Sequence, residues 1–443
     1  MEIKFYNSLT NKIEDFKPIK AGEVSIYCCG PTVYNEPHIG NMRPVVIFDT
    51  LCRFLKYVGY DVKFVSNYTD VDDKIINKAQ EEGVSELEIA NRYIASYRAC
   101  LDSLNCLHAY KNPRVTEFMP DIIKYIDNLV ENKAAYVEDG EVFFDVKSVP
   151  SYGQLSNIKL DELDAGNRVA TNDKKKNPYD FLLWKNTEKG IKWPTKWCEG
   201  RPGWHTECCV MIDSIFGGHI DIHGGGHDLI FPHHENEIAQ AEATHGNTIA
   251  NYWIHNGMMN IKGEKMSKSL GNVLLAKDGI NIYGADTIRL LLLNCQYRSV
   301  LNFSDETIND TKTILQKLDN IWKLLNLKIA VSNGKLHGKA NGMEKFVSYL
   351  ADDINLPNAI TEMLEIIKNA NMEYRKKDAS LSALENFFYI LQDMVSILGL
   401  HNKVQEFSVE DIELYNKYLE AKKNKDFATS DLLRNELLEK KIL

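Results

Sequence analysis

Short apolar runs alternate with amphipathic stretches through the first 115 residues of the chain. Residues 24–28 (VSIYC) have the composition of a buried strand. A helix is predicted after them, because apolar residues recur there at three- and four-residue spacing: Val45, Phe48, Leu51, Cys52 and Leu55. A second strand at residues 62–65 comes next, and more helix follows it. This alternation predicts a parallel sheet of the doubly wound α/β type.

The pattern changes further along the chain. Residues 116–200 break the alternation and include a polar stretch at 171–178, so we expect an insertion between two halves of the sheet. The strand pattern resumes at residues 219–226, which end in a glycine turn, and a helix is expected to begin near Pro232. From about residue 311 apolar residues recur at helical spacing, and each of two segments has one apolar face. These faces consist of Ile314, Leu318, Ile321 and Leu325, and of Leu384, Phe387, Leu391, Met394 and Leu398. The Gly/Asn/Lys stretch 332–342 separates two of these helices.

These changes divide the chain into five predicted parts. Residues 1–115 form the first half of a Rossmann-type nucleotide-binding domain, residues 116–200 a connective insertion, and residues 201–262 the second half. Residues 263–310 contain a Lys-rich loop and a segment of mixed character, and residues 311–443 form an all-α C-terminal region. The predicted fold is therefore α/β with an insertion, followed by helices.

Composition narrows the class of protein without identifying it. The chain has 443 residues, of which 44% are hydrophobic and 26% charged, as in ordinary globular proteins. It shows no signal peptide and no apolar run long enough for a membrane helix, so we expect a cytoplasmic protein. Its nine cysteines are irregularly spaced, which argues against a disulfide framework and leaves some of them able to bind metal.

The charge distribution limits how the chain could bind nucleic acid. The net charge is −10, but residues 311–443 contain 19 basic and 19 acidic residues, so the excess of acid lies upstream. Nonspecific binding should be weak, and RNA recognition would depend on local basic runs at 375–377 and 422–425. A solvated helix face is an equally good interpretation of these runs.

Two short strings together predict that ATP is activated here. Residues 265–269 (KMSKS) place two ammonium groups close together in a Gly-flanked loop, where they can follow a moving polyphosphate. Residues 37–41 (PHIGN) lie between the first strand and its helix, so His38 and Gly40 fall at a helix N-terminus, where backbone N–H groups favour phosphate. Each string alone is weak evidence, since a lone His near a turn or a Lys-Ser run is usually a surface feature.

The two strings resemble the HIGH and KMSKS motifs of class I aminoacyl-tRNA synthetases. The resemblance implies ATP binding by His38, Gly40, Asn41 and Lys268, with His38, Lys265 and Lys268 as catalytic groups. Asn41 stands where the family motif has a second histidine. An asparagine donates hydrogen bonds but carries no charge, so we assign the charge-bearing part of this motif to His38 and leave the role of Asn41 open.

Four residues have the chemistry of a zinc site. Cys29 closes the first predicted strand, at the sheet edge where open α/β folds bind ligands. His233 and Glu237 are four residues apart at the start of a predicted helix and share one face, and Cys208 follows the segment 203–207 (GWHTE). Such donors hold Zn²⁺ at ~2.0–2.3 Å. Because the four are scattered along the chain, spacing alone favours the alternative of two buried cysteines and a capped helix.

Longer segments resemble the cysteinyl-tRNA synthetase family. They are CGPTVY from Cys29, NYTDVDDK from Asn67, GWHTEC ending at Cys208, and HGGGHDLIFPHHENE ending at Glu237. In that family the residues matching Cys29, Cys208, His233 and Glu237 hold a zinc ion that binds the substrate thiolate. The resemblance therefore implies one Zn²⁺ per chain. Trp204, Thr69 and Asp70 are expected to bind the amino acid, and Cys28, Cys209 and His234 to pack around the site.

The resemblance also implies a reaction and its partners. L-Cysteine would be activated with Mg-ATP to cysteinyl-adenylate and then transferred to the 3′ end of tRNA(Cys), by a monomer that needs no membrane. A zinc ion would explain substrate selection, because an apolar pocket rejects a near-isostere such as serine by only ~10²-fold. A thiolate binds zinc far better than a neutral hydroxyl does.

The C-terminal region bears on the tRNA partner. Relatives commonly continue past the last helices into a short module that carries a tryptophan, but no tryptophan follows Trp322 here. The resemblance thus implies that residues 311–443 bind the anticodon region without that module. We expect the helix predicted at 427–440, with Lys422, Lys423 and Lys425 beside it, to contact tRNA with reduced anticodon discrimination.

Three other functions fit parts of the sequence. A ligase that transfers cysteine to a small amine, as in the mycothiol pathway, shares both motifs and the metal set but lacks a long helical region. A noncatalytic RNA-binding paralogue would not need intact His38, Lys265 and Lys268. A zinc hydrolase would need an open metal site with a general base nearby, and the ATP motifs disfavour it.

Overall fold

The structure is a computed structural model that describes residues 1–159, 174–265, 273–332, 339–402, 405–440 and 442. The chain divides into two compact units. The first comprises residues 1–282, 297–303 and 351–354, and the second comprises residues 283–296, 304–350 and 355–443. Within the described ranges, no helix is both long enough and apolar enough to cross a membrane.

The strands and helices of the described residues are numbered in chain order. The strands are β1 (Lys4–Asn7), β2 (Lys12–Asp15), β3 (Glu23–Cys28), β4 (Asp61–Val65), β5 (Ala135–Glu138), β6 (Glu141–Phe144), β7 (Phe181–Asn186), β8 (Trp193–Pro194), β9 (Glu199–Pro202), β10 (Ile220–Gly226), β11 (Ala250–Asn256), β12 (Met259–Ile261), β13 (Glu264–Lys265) and β14 (Leu301–Phe303). The helices are α1 (Ile39–Tyr57), α2 (Asp73–Glu82), α3 (Glu86–Ser103), α4 (Met119–Glu131), α5 (Glu207–Phe216), α6 (Glu235–His245), α7 (Ala276–Tyr283), α8 (Ala285–Leu293), α9 (Asp305–Val331), α10 (Glu344–Ala351), α11 (Leu356–Tyr374), α12 (Leu381–Leu398), α13 (Val409–Lys423) and α14 (Phe427–Glu439).

A four-stranded parallel sheet in the order β11-β10-β3-β4 forms the centre of the first unit. Strands β3, β10 and β11 are buried along most of their length, as expected when helices cover both faces of a parallel sheet. Helix α1 follows β3 and buries Phe48, Leu51 and Leu55. The predicted fold class, a Rossmann-type α/β domain followed by helices, is confirmed.

The chain between the two halves of the central sheet forms helix α4 and an antiparallel sheet in the order β5-β6-β7-β9-β8. The polar stretch at 171–178 lies partly outside the described residues. Strand β9 leads directly into Gly203, where an added Cβ would lie 1.9 Å from the carbonyl oxygen of Leu182. Only glycine allows the two backbones to approach this closely at the position immediately before Trp204 and His205.

A small sheet follows the central one in the chain, with β12 antiparallel to β13 and parallel to β14. The turn between β12 and β13 consists of Lys262 and Gly263, both at positive φ (51° and 85°). Strand β13 ends at Lys265. Residues 266–269 of the Lys-rich loop lie outside the described residues.

The second unit is helical in its described ranges, from α8 onward. Helices α13 and α14 lie side by side, and Tyr415 and Leu437 form a small apolar cluster with Leu327 of α9 and Ile442. Serine side chains cap three of these helices, because the hydroxyls of Ser304, Ser380 and Ser408 each accept a backbone N–H of the first turn.

Candidate active site and metal centre

The first nucleotide motif forms the start of α1. His38 is the N-cap residue, with an extended backbone (φ −89°, ψ 163°), and Ile39 is the first helical residue. The side-chain oxygen of Asn41 accepts the backbone N–H of His38 at 2.9 Å. Asn41 therefore has a local role in shaping the helix terminus, a role that requires an acceptor and no charge.

A cleft of about 1040 Å³ opens at this helix N-terminus. Its walls include His38, Gly40 and Asn41 from the motif, Cys29 from the end of β3, and Gly257 after β11. The cleft thus lies beyond the carboxyl ends of parallel strands, where open α/β sheets bind their ligands.

The four predicted metal ligands come together at this edge of the sheet. The Sγ atoms of Cys29 and Cys208 are 3.6 Å apart, and Oε1 of Glu237 is 3.7 Å from Cys29 Sγ and 2.9 Å from His233 Nε2. Cys208 Sγ lies 3.9 Å from His233 Nε2. All four donor atoms lie within 4.8 Å of one another.

These separations fit a tetrahedral metal ion. With metal–sulfur bonds near 2.3 Å and metal–nitrogen or metal–oxygen bonds near 2.0–2.2 Å, neighbouring donors in a tetrahedron lie roughly 3.3–3.8 Å apart. Three of the four measured separations fall within a few tenths of an ångström of that range, and the shorter His233–Glu237 separation is a direct hydrogen bond. The cluster of Cys29, Cys208, His233 and Glu237 could therefore hold a metal ion.

The electrostatics of the cluster favour positive charge at its centre. Burial lowers the pKa of His233, but the Glu237 carboxylate and Cys208 outweigh burial and raise it to about 10. Burial raises the pKa of Glu237, whereas His223 and His233 hold it well below its usual range. The pKa of Cys208 is lowered to about 7, chiefly by its contact with Cys29, and that of Cys29 is raised well above its usual range by burial. A metal ion would take the place of the protons that these groups hold.

A second layer of histidines surrounds the cluster. Nδ1 of His205 lies 3.1 Å from Nδ1 of His233, and Nε2 of His223 lies 2.5 Å from Oε2 of Glu237. His234 lies 3.2 Å from Cys29 Sγ through Nε2, and its Nδ1 meets His255 at 2.8 Å. Cys29, His223, His234 and Glu237 form an alternative group of donors within the same distance limit. The two groups share Cys29 and Glu237, so His234 lies in direct contact with the site.

Sequence reasoning missed His205, His223 and His255. The first two stand inside the quoted segments GWHTEC and HGGGHDL, so a signal was present, but their partners lie on separate elements. The neighbouring thiols of Cys28 and Cys209 contact backbone oxygens, of Cys29 at 3.9 Å and of Glu237 at 3.6 Å respectively. Burial raises the pKa of both thiols.

Trp204 covers the cluster from the side of the antiparallel sheet. Its ring stacks on that of His233, with centroids 4.2 Å apart and an interplanar angle of 25°, while 42% of the residue remains exposed. Trp204 also lines a second, smaller pocket together with His205 and Glu207. A partly exposed aromatic ring beside a candidate ligand can contact a small molecule bound there.

Thr69 and Asp70 are both buried. The Thr69 hydroxyl donates to Glu207 at 2.8 Å, and both oxygens of Asp70 accept hydrogen bonds from Thr116, at 3.0 Å from its N–H and 2.6 Å from its hydroxyl. Neither residue is among those that line the two pockets described above. Burial raises the pKa of Glu207 well above its usual range.

Lys265 ends β13, and its backbone pairs with Asn260. Lys268 lies outside the described residues. The residues that follow the loop contact the first motif directly: Ile39 N donates to Leu274 O at 2.9 Å, and Ala276 N donates to Pro37 O at 2.8 Å.

The chain is similar to known proteins in both sequence and fold. Residues 15–313 match the family model described as tRNA synthetases class I (C) catalytic domain, and residues 345–402 match the DALR domain. The fold is similar to that of Mycobacterium tuberculosis methionyl-tRNA synthetase in complex with methionyl-adenylate, with a TM-score of 0.64 at 15% identity over 85% of this chain and 89% of that one. The fold and the matched catalytic domain define a class I tRNA synthetase.

Full-length relatives specify the family within this class. The chain is 43% identical to the cysteine–tRNA ligase of Bacillus licheniformis over 99% of its own length and 96% of the relative's. It is 44% identical to that of Shouchella clausii, over 100% and 97%. The chain belongs to the cysteine–tRNA ligase family.

Proposed function

We propose that this protein joins L-cysteine to tRNA(Cys) at the expense of ATP. The observation that carries the proposal is the position of Cys29, which belongs both to the Cys/His/Glu cluster and to the wall of the cleft that begins at His38. A thiol directed at the cluster and a phosphate at the helix N-terminus can therefore be parts of one bound reaction complex.

In the first step the carboxylate of cysteine attacks the α-phosphorus of Mg-ATP and pyrophosphate leaves. His38 stabilises negative charge on the phosphates beside Gly40 at the N-terminus of α1, and Lys265 and Lys268 assist from the second motif. In the second step the terminal ribose hydroxyl of tRNA attacks the cysteinyl carbonyl and AMP leaves. Catalysis consists of positioning and charge stabilisation, without a covalent bond to the enzyme.

We propose one zinc ion per chain, held by Cys29, Cys208, His233 and Glu237. When bound, zinc supplies a Lewis acid that favours a thiolate over the hydroxyl of serine. The protein orients this site through His223 and His205, which contact Glu237 and His233. Trp204 closes the site against the side chain of the amino acid, and Thr69 and Asp70 support amino-acid binding indirectly, through their hydrogen bonds with Glu207 and Thr116.

The remaining assignments follow from the reaction. The helices from residue 311 onward bind the anticodon region of tRNA, and residues 116–200 form an insertion between catalytic halves 1–115 and 201–262, followed by a stem-contact region at 263–310. The protein acts as a monomer in the cytoplasm, where tRNA is charged for translation. Light scattering at micromolar concentration tests the monomer.

The decisive experiment is ATP–pyrophosphate exchange with cysteine and with serine in parallel, with and without a zinc chelator. We expect exchange with cysteine alone and its loss on chelation, restored by added Zn²⁺. Exchange that proceeds equally with serine, or that is indifferent to the chelator, would contradict the zinc-based selection. Charging of tRNA(Cys) transcripts then separates this function from transfer of cysteine to a small amine.

A further inference from the structure

Arg43 occupies an unusual position for a cationic side chain. It lies in α1, one turn after the first nucleotide motif, and only 1% of it is exposed. Its Nη1 atom donates to the carbonyl oxygens of Gly257 and Met258, both at 2.7 Å, and its Nη2 atom donates to those of Tyr297 at 3.2 Å and Ser299 at 2.7 Å. One guanidinium group thus binds two backbone segments that are distant in sequence.

These two segments lead into the small sheet of β12, β13 and β14, in which β13 carries the first residue of the second nucleotide motif. Residues 257–258 connect β11 to β12, and residues 297–300 lead into β14, the parallel neighbour of β12. The segments also bond each other, because Gly257 N donates to Tyr297 O at 2.8 Å and Leu301 N donates to Met258 O at 2.9 Å. A Cβ at position 257 would lie 2.3 Å from the carbonyl oxygen of Ser299, so the contact requires glycine. Arg43 therefore ties α1 to the base of the sheet that carries Lys265.

The chain beyond the second motif is also tied to the first. Besides the two backbone hydrogen bonds between residues 37–39 and 274–276, Lys277 Nζ lies 3.0 Å from Glu36 Oε1. The segments on both sides of residues 266–272 are consequently held by residues 36–43. On the upstream side, the side chain of Arg43 makes this connection.

We propose that Arg43 is a positioning residue for the ATP-dependent step. It fixes the sheet whose strand β13 ends at Lys265, where the second nucleotide motif begins, relative to the first motif. The inference rests on the proposed function, since it assumes that both motifs act on one nucleotide. Arg43 does not line the cleft in the described residues, so it acts through the backbone that it holds. Displacement of a group by about 1 Å can lower a rate by about 10²-fold, so a small loosening of this connection should be measurable.

The test compares Arg43→Lys with Arg53→Lys. Arg53 is a matched control because it lies in the same helix, is largely buried, and binds Asp49 at 2.8 Å and the backbone oxygen of Asn105 at 2.5 Å, neither of which belongs to the segments that Arg43 holds. Lysine keeps the charge in both variants but lacks the planar fork that reaches several carbonyl groups at once. Both substitutions should lower thermal stability, which alone does not distinguish the two residues.

Enzyme kinetics and hydrogen exchange distinguish the effect of Arg43→Lys from that of Arg53→Lys. Arg43→Lys should lower kcat/KM for ATP in cysteine-dependent pyrophosphate exchange by roughly 10- to 100-fold, while KM for cysteine and zinc content stay at the wild-type level. Arg53→Lys should leave all three unchanged. Addition of ATP should slow hydrogen exchange in peptides covering 257–262 in the wild type, and this protection should be lost in Arg43→Lys.

ATP kinetics that match the wild type in Arg43→Lys would overturn the inference. An equal loss for ATP and cysteine would also overturn it, because it indicates general damage.

If Arg43→Lys does not fold, Lys277→Met tests the connection on the opposite side of residues 266–272. This variant should lower kcat/KM for ATP without changing KM for cysteine, and an unchanged kcat/KM also counts against the inference. A wild type that shows no cysteine-dependent exchange would contradict the proposed function instead. In that case the role of Arg43 is still decided by hydrogen exchange. If ATP does not slow exchange at residues 257–262 in the wild type, the proposed role of Arg43 is refuted.

Discussion

Zinc binding to the Cys/His/Glu cluster should depend steeply on pH. The pKa of His233 is raised to about 10 by Glu237, that of Cys29 is raised by burial, and that of Cys208 is about 7. A raised pKa means that the folded protein holds the proton more tightly, so zinc must displace it. Affinity for zinc should therefore fall as the pH falls.

The slope follows from the number of protons displaced. Each displaced proton changes the apparent affinity by about tenfold per pH unit, or about 1.4 kcal/mol. Between pH 7 and 8 the proton-bearing ligands are Cys29 and His233, which predicts about a hundredfold change. Below pH 7 Cys208 is protonated as well, and the predicted change becomes about a thousandfold per unit. Glu237, whose pKa is well below its usual range, contributes no proton in this window.

Competition with a zinc chelator of known pH dependence, at intervals from pH 6 to 8, measures both slopes. Cys208→Ser should remove the steepening below pH 7, and Glu237→Gln should reduce the slope above pH 7 by about one proton, because it removes the charge that raises the pKa of His233. Cys198→Ser, at a half-buried cysteine outside the cluster, serves as the control and should change neither slope. An affinity that is independent of pH, or a Cys208→Ser variant with the wild-type slope, would refute the assignment.

Three further predictions concern the motifs and the helical region. Lys268→Ala should lower the rate of adenylate formation by roughly 10²–10³-fold with little change in KM for cysteine, and equal losses in both would assign Lys268 to ground-state binding. Asn41→His should retain pyrophosphate exchange, because an imidazole nitrogen can still accept the His38 N–H. An inactive Asn41→His enzyme would contradict our alignment of the motif. Asn41→Ala should lower the free energy of unfolding, measured by denaturant titration, by about 0.5–2 kcal/mol. Replacing the exposed Lys422, Lys423 and Lys425 with Glu should raise KM for tRNA and flatten its salt dependence without affecting pyrophosphate exchange, and unchanged tRNA kinetics would identify this run as a solvated surface.

The central sheet was predictable because its signals are local. Apolar runs and helical spacing at residues 24–65 gave β3, α1 and β4 nearly at their observed limits, and the strand pattern at 219–226 located β10. The predicted glycine turn was wrong, because Gly224, Gly225 and Gly226 are the last residues of β10 and pair with β11. The antiparallel sheet at 135–202 was not predicted. Strands β5 and β6 are only four residues long and β8 only two, so their alternation is too brief to distinguish from a loop.

Less of the candidate site could be predicted from the sequence than of the central sheet. Its four proposed ligands were found through resemblance, since their scattered positions do not indicate a cluster. The surrounding histidines depend on contacts between separate elements: His205 follows β9, His223 lies in β10 and His255 lies in β11. Periodicity cannot show that these strands bring the three imidazoles around one cluster, where they contact Glu237, His233 and His234.

Glu237 shows why this second layer matters for the chemistry. A carboxylate at the start of a helix is ordinarily explained as favourable interaction with the helix dipole. Here it is fully buried and contacts His223 through one oxygen and His233 through the other, at 2.5 and 2.9 Å. His223 is in turn oriented by the carbonyl oxygen of Tyr27 at 3.0 Å. The backbone of β3, which ends beside Cys29, therefore fixes the orientation of a carboxylate on α6, so that one strand positions two of the four proposed ligands.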